Sequence, residues 1–90
     1  MSSGLCKKLG ELRPGDEGRI VRISSSPSTD ELVARLMEMG LLEGSDFTLV
    51  HEAPFGGDPI AVRVRGALIA LRRSEANLIE VELKGGEARS

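Results

Sequence analysis

The side chains with chemistry to offer are few. His51 is the sole histidine and Cys6 the sole cysteine, too few for a His/Cys metal set or a nucleophile with its base at recognisable spacing. The 14 Asp and Glu residues make chance pairs of carboxylates abundant, so no pair marks general acid–base work. Gly56-Gly57 precede a strand-like run and not a helix, the wrong setting for a backbone cradle around phosphate. No G-x-x-x-x-G-K-[ST] run occurs. Neither catalysis nor a bound cofactor is expected. Arg63, Arg65, Arg72 and Arg73 could cluster on neighbouring strands as a face for RNA. Against this stand the net charge of −2 and the absence of Tyr and Trp for base stacking. A solvated face, balanced by Glu80 and Glu82 on the last strand, is the simpler reading. Proline-rich peptides need aromatic-lined grooves, and the same shortage excludes them.

What remains is apolar surface. Met37, Met39, Leu41 and Leu42, with Leu36, surround the end of a short helix and exceed what that helix needs to dock. Methionine is adaptable and common at protein-binding surfaces. Leu36 and Leu41 are expected mainly to fill the barrel mouth. The stretch EAPFGGDP places Phe55, one of two aromatic residues, at the tip of a Pro/Gly loop. There it is expected beside the helix end, walling a shallow apolar pocket.

These residues need elements to position them. Leu9 and Leu12 are three-apart anchors ahead of a type II turn at Arg13-Pro14-Gly15-Asp16. Residues 17–23 read as a strand whose Ile20 and Ile23 do not alternate cleanly, so either a bulge or burial on both faces is needed. Ser28 to Glu31 form an expected capping box. Leu32, Val33, Leu36 and Met37 make a helical stripe, and Gly40 with Leu41 closes it by a Schellman ending against Leu36. Residues 47–51 read as a strand. Residues 60–65 alternate, Ile60, Val62 and Val64 inward and Arg63 and Arg65 outward. Ala67 to Leu71 is nearly all apolar, which implies a central strand covered on both faces. Residues 72–77 suggest one 3₁₀ turn, and 78–83 a last alternating strand. About five short antiparallel strands with one inserted helix predict an all-β, SH3-like barrel, since closure removes exposed edges.

Ninety residues with 40% hydrophobic and 29% charged content fit one small domain with one core, here 9–83. Residues 1–8 and 84–90 are expected to fray. A single cysteine suits a reducing compartment. No apolar run is long enough to cross a bilayer, and the start lacks the apolar core of a signal peptide. The chain is expected to be cytoplasmic, without membrane insertion or nucleic-acid binding.

Taken together, Leu9-x-x-Leu12-x-x-Gly15-x-x-Gly18-x-Ile20-x-x-Ile23, then Arg35-Leu36-Met37-Glu38-Met39-Gly40-Leu41 with Gly44, then Ala53-Pro54-Phe55-Gly56-Gly57, then Val62-Arg63-Val64-Arg65-Gly66 and Ile69-Ala70-Leu71-Arg72 resemble the ferrous iron transport protein A (FeoA) family. Glu43 stands where that family often has proline. The resemblance implies an SH3-like barrel that binds and modulates FeoB, a membrane transporter of ferrous iron with a cytosolic GTP-hydrolysing domain. Iron-dependent repressors of the DtxR type carry the same barrel behind DNA-binding helices, and a repressor is not expected here. On this reading the partner-binding residues are Leu36, Met37, Met39, Leu42 and Phe55, with Arg63 and Arg65 flanking. An arginine supplied to the GTPase site from Arg72 or Arg73 is a weaker implication. The alternative function is a metal-sensing module that binds a divalent transition metal ion, with Cys6 and His51 as the residues to test. A weak homo-oligomer is also compatible with this reading.

Overall fold

The computed structural model describes residues 6–84. Along them run β1 (Cys6–Lys8), a 3₁₀ turn (Leu9–Glu11), β2 (Glu17–Ile23), α1 (Asp30–Glu38), β3 (Asp46–Glu52), β4 (Ile60–Val64), β5 (Ala67–Leu71), α2 (Arg73–Ala76) and β6 (Ile79–Leu83). The six strands form one antiparallel sheet in the order β1-β6-β2-β3-β4-β5. One strand more is present than the apolar pattern predicts. β1 falls in the segment expected to fray, yet Cys6 lies opposite Glu82 and Lys8 opposite Glu80. Its side chains are all exposed, so the backbone ladder alone holds it and no hydrophobic period announces it. Residues 1–5 and 85–90 lie outside the described residues.

The irregular spacing in β2 is a bulge. The β2–β6 register shifts between Ile20 and Arg22, turning Ile20 fully inward and leaving Val21 41% exposed. A second shift lies between Leu49 and His51 in β3. Bulges bend and twist their strands, which lets this short sheet wrap around one core. Every element except β1 contributes to that core, from Leu9 in the 3₁₀ turn to Ala76 in α2 and Val81 in β6. Phe47, at 2% exposure, is its one aromatic; burying such a side chain is worth roughly 1.5–3 kcal/mol.

The end of α1 follows the sequence expectation. The Leu41 N–H donates to the Leu36 carbonyl at 3.1 Å and the Gly40 N–H to Met37 at 3.0 Å, with Gly40 at φ 109°, a Schellman ending. Its start does not. Thr29, not Ser28, occupies the cap position, and no side chain caps the helix. The Thr29 hydroxyl accepts instead from the Ser26 N–H at 2.9 Å, and the Ser25 hydroxyl donates to Asp30. In a serine-rich approach, local turns compete for the hydroxyls a capping box would use.

Two further expectations are corrected. β5 lies at one end of the sheet and is not a central strand; only Ile69 and Leu71 are buried, while Ala67, Leu68 and Ala70 are exposed. Arg65 does not continue the outward face of β4. Val64 pairs with Ala67, so Arg65-Gly66 is a two-residue turn, with φ 53° and 85°. That is the type I′ geometry matched to the twist of a hairpin. Arginine there adopts a left-handed conformation that costs roughly 1–2 kcal/mol for a residue with a Cβ.

β1 and β5, the end strands, are not paired with each other. The seam between them is carried by the 3₁₀ turn packed on α2 and by one side chain. The Arg73 guanidinium donates from Nη1 to the carbonyls of Gly10 (2.9 Å) and Leu12 (2.8 Å), from Nε to that of Gly57 (2.7 Å), and from Nη2 to Glu52 Oε1 at 2.7 Å. Its own backbone N–H donates to Asp58 at 2.9 Å. Arg73 and Glu52 are 22% and 29% exposed, so this pair is far less screened than a surface bridge. Gly10 sits under the seam, where a Cβ would overlap Asn77 and the Arg73 carbonyl.

Replacing Arg73 by Ala should therefore lower stability by roughly 2–4 kcal/mol, since it strands three carbonyls and a carboxylate. Lysine, lacking the planar fork, should recover only part. A thermal melt changed by less than about 1 kcal/mol would refute the clamp. At Gly18 a Cβ would collide with the Glu82 backbone carbonyl, so Gly18→Ala should cost about 1–3 kcal/mol, read from the urea midpoint.

Candidate functional site

The helix α1 lays Val33 and Leu36 on the core and turns Met37 outward. At its end Met37 is 45% and Met39 39% exposed, and Leu42 is half-buried in the turn that follows. Arg65 borders this patch: its Cδ lies 3.9 Å from where a side chain on Gly40 would begin. Leu36 is 1% exposed, so this member of the expected set is a core residue and presents no surface to a partner.

Phe55 is 91% exposed. The loop that carries it is pinned at its base, where the Ala53 N–H donates to the Pro59 carbonyl at 3.0 Å and Gly57 and Asp58 bind Arg73. A pinned loop holds an aromatic ring in water without folding over it. The recess beneath is lined by Arg13, Glu52, Pro54, Gly56, Gly57 and Arg73; it is polar, and Phe55 does not wall it.

The expected single patch is split. The α1 exit leads into β3 at Asp46 and the Phe55 loop leaves β3 after Glu52, some 20 Å away at strand spacing. Arg65 sits at the α1 end of the β4–β5 hairpin, and the Phe55 loop at the other end of β4. The methionines and Arg65 are therefore brought together, and Phe55 stands apart from them. The periodicity of β3 marks a strand but not the direction its ends face, so sequence alone could not separate the two.

The four arginines do not form one set, because Arg73 is withdrawn into the seam. Arg63 lies on β4, opposite Thr48 and Leu68, whereas Glu80 and Glu82 lie on β6, on the far side of β2 and β3. Glu80 instead pairs with Arg22 at 3.2 Å. Among the described residues, Arg63, Arg65 and Arg72 have no ion-pair partner, while the Arg73 fork is spent on the seam. Arg73 is thus not available to reach into another protein's active site. No sequence signal distinguishes it from Arg72 beside it.

Cys6 and His51 are both exposed and lie on β1 and β3, which are three positions apart in the sheet. Among the described residues no three His, Cys, Asp or Glu side chains are placed to hold a metal ion. No helix of the described residues is long and apolar enough to cross a membrane.

The comparisons with known proteins agree with this fold. The FeoA domain family model matches residues 7–83. An Fe(2+) transport protein A/Fe(2+) transporter FeoB fusion protein of Porphyromonas gingivalis (strain ATCC BAA-308 / W83) is 37% identical over 83 residues, 92% of this chain and 9% of its own length. The chain thus spans about a tenth of that curated relative. The solution structure of iron(II) transport protein A from Clostridium thermocellum is 42% identical with a TM-score of 0.78, covering 89% of this chain and 47% of that one. Stenotrophomonas maltophilia FeoA, solved with zinc and described as a prokaryotic SH3 domain protein, is 29% identical with a TM-score of 0.70, over 87% and 89% of the two chains. The SH3-like fold read from strand pattern is therefore shared with solved relatives, and with the family match running across nearly all of the sheet, the chain belongs to the FeoA domain family, which is associated with ferrous iron transport.

Proposed function

We propose that this chain is a non-catalytic, cytoplasmic accessory of ferrous iron uptake that binds the cytosolic part of a FeoB-type transporter and biases its state. The observation that carries this reading is the fused relative, whose name joins an A-type protein and a FeoB transporter in one chain. Fusion holds two units at an effective concentration in the millimolar range for a short linker. Separate chains need affinity of their own, and affinity needs a surface.

Two surfaces suit that task. Met37, Met39 and Leu42, bordered by Arg65, offer an adaptable apolar patch with a free positive charge. Phe55 offers an aromatic anchor on a pinned loop, and little ordering entropy is lost when such an anchor docks. A partner that touches both must extend along the β3–β4 hairpin. Arg63, on the outer face of β4, lies between them and would steer an acidic approach. Docking changes transport only by favouring one transporter state over another.

Leu36→Asp is no test of this, because it would bury a charge in the core. Met37→Glu with Met39→Glu, and separately Phe55→Ser, change exposed side chains and should leave the melting temperature within a few degrees of the parent. Each should weaken binding to the purified cytosolic part of the transporter by about tenfold or more, the scale of an interface anchor. Iron uptake should fall in cells that carry these variants as their only copy. Unchanged binding and uptake with both patches altered together would overturn the proposal.

A further inference from the structure

β5 ends the sheet on one side, and its sequence, Ala67-Leu68-Ile69-Ala70-Leu71, has no charge, proline or glycine to blunt it. The two-residue turn makes Val64–Ala67 a hydrogen-bonded pair. Antiparallel alternation then directs the N–H and C=O of Leu68 and Ala70 away from β4. Among the described residues neither amide has a backbone partner on that side. Leu68 is 56% exposed and Ala70 is exposed. An edge like this is a template for another strand.

The surrounding charge says which strand. Residues 60–73 contain four arginines and no acid, in a chain whose acids outnumber its bases. Arg65 stands in the turn at one end of β5 and exposed Arg72 just past the other, two residues beyond Ala70. Arg63 lies directly opposite Leu68. None of the three has an ion-pair partner among the described residues. A second copy of this chain is disfavoured by the same charges. Pairing β5 with itself, Leu68 opposite Ala70, sets Arg72 of each copy opposite Gly66 and beside Arg65 of the other, at both ends. Like charges so placed repel. An extended acidic segment meets the opposite situation at every one of these positions.

We infer that the β5 edge is a strand-addition site for an extended segment of another protein with acidic residues at alternate positions, held by main-chain bonds to Leu68 and Ala70 and by Arg63, Arg65 and Arg72. The site shares Arg63 and Arg65 with the surface proposed above for the transporter, but its main-chain contacts at Leu68 and Ala70 are its own, and amide protection there tests it apart from that reading.

The probe is a synthetic peptide of about ten residues alternating valine and glutamate, titrated into the isotope-labelled full chain. The expected result is saturable binding tighter than about 1 mM, with slowed hydrogen exchange at the Leu68 and Ala70 amides. Arg65→Glu with Arg72→Glu, both exposed, should weaken it about tenfold. Ala70→Pro, which removes an outward donor and no β4–β5 bond, should abolish it while the melt stays cooperative. Four results would overturn the inference: no binding, protection that maps elsewhere, equal affinity for a valine–lysine peptide, or a self-associated dimer that buries β5. Binding of oligouridylate at the arginines without protection of the Leu68 and Ala70 amides would likewise assign the charge to nucleic acid and refute it.

Discussion

The fork of Arg73 is the contact on which the rest of this molecule hangs. A short sheet that curls without pairing its end strands needs something to hold the gap, and here one guanidinium reaches the 3₁₀ turn, the far end of β3 and the base of the Phe55 loop at once. Carbonyls buried at such a junction must find donors, and arginine supplies several from one plane. The same residue begins α2, so the clamp also decides where β5 stops. Seam, exposed aromatic loop and free sheet edge are in this sense products of one constraint.

Among the described residues no three His, Cys, Asp or Glu side chains are placed to hold a metal ion, and the docking proposed above rests on the surface. Its charge is unevenly laid out. The acidic excess of the whole chain conceals a wholly basic segment along β4 and β5, and the large exposed apolar side chains are Val21, Met37, Met39, Phe55 and Leu68. Scattered single apolar residues are ordinary on protein surfaces. A methionine pair at a helix end and a phenylalanine held out on a pinned loop are less so, because each sits on rigid backbone.

Much of the fold was legible from residue order. Leu9 and Leu12, the Schellman ending at Gly40, the alternation of β4 and the turn at Arg13-Pro14-Gly15-Asp16 are local features, and local features leave local patterns. Residue order does not carry whatever depends on neighbours in space. An all-apolar strand reads the same at the centre of a sheet as at its rim, so residue types alone do not place β5 at the edge. In Val62-Arg63-Val64-Arg65 the alternation runs on unbroken into a turn, so the pattern does not separate Arg65 from the strand. Arg72 and Arg73 are chemically identical in a sequence, though one is in water and the other is consumed by the seam. The candidate site suffered most: its residue types were found, but Leu36 belongs to the core, and the distance between Phe55 and the helix end follows from the course of β3, which no motif records.

The pairing of β1 with β6 has a consequence for architecture. Cys6 and Glu82 face each other across one ladder, so the two ends of the described chain leave the sheet side by side, on β1 and β6 and not on β5 or the Phe55 loop. An attachment of this fold through these ends engages the strands β1 and β6, while the β5 edge and Phe55 belong to other elements. Joining it to a larger polypeptide at either terminus would leave the same surfaces facing outward, so one arrangement of contacts can serve both a fused and a free-standing form.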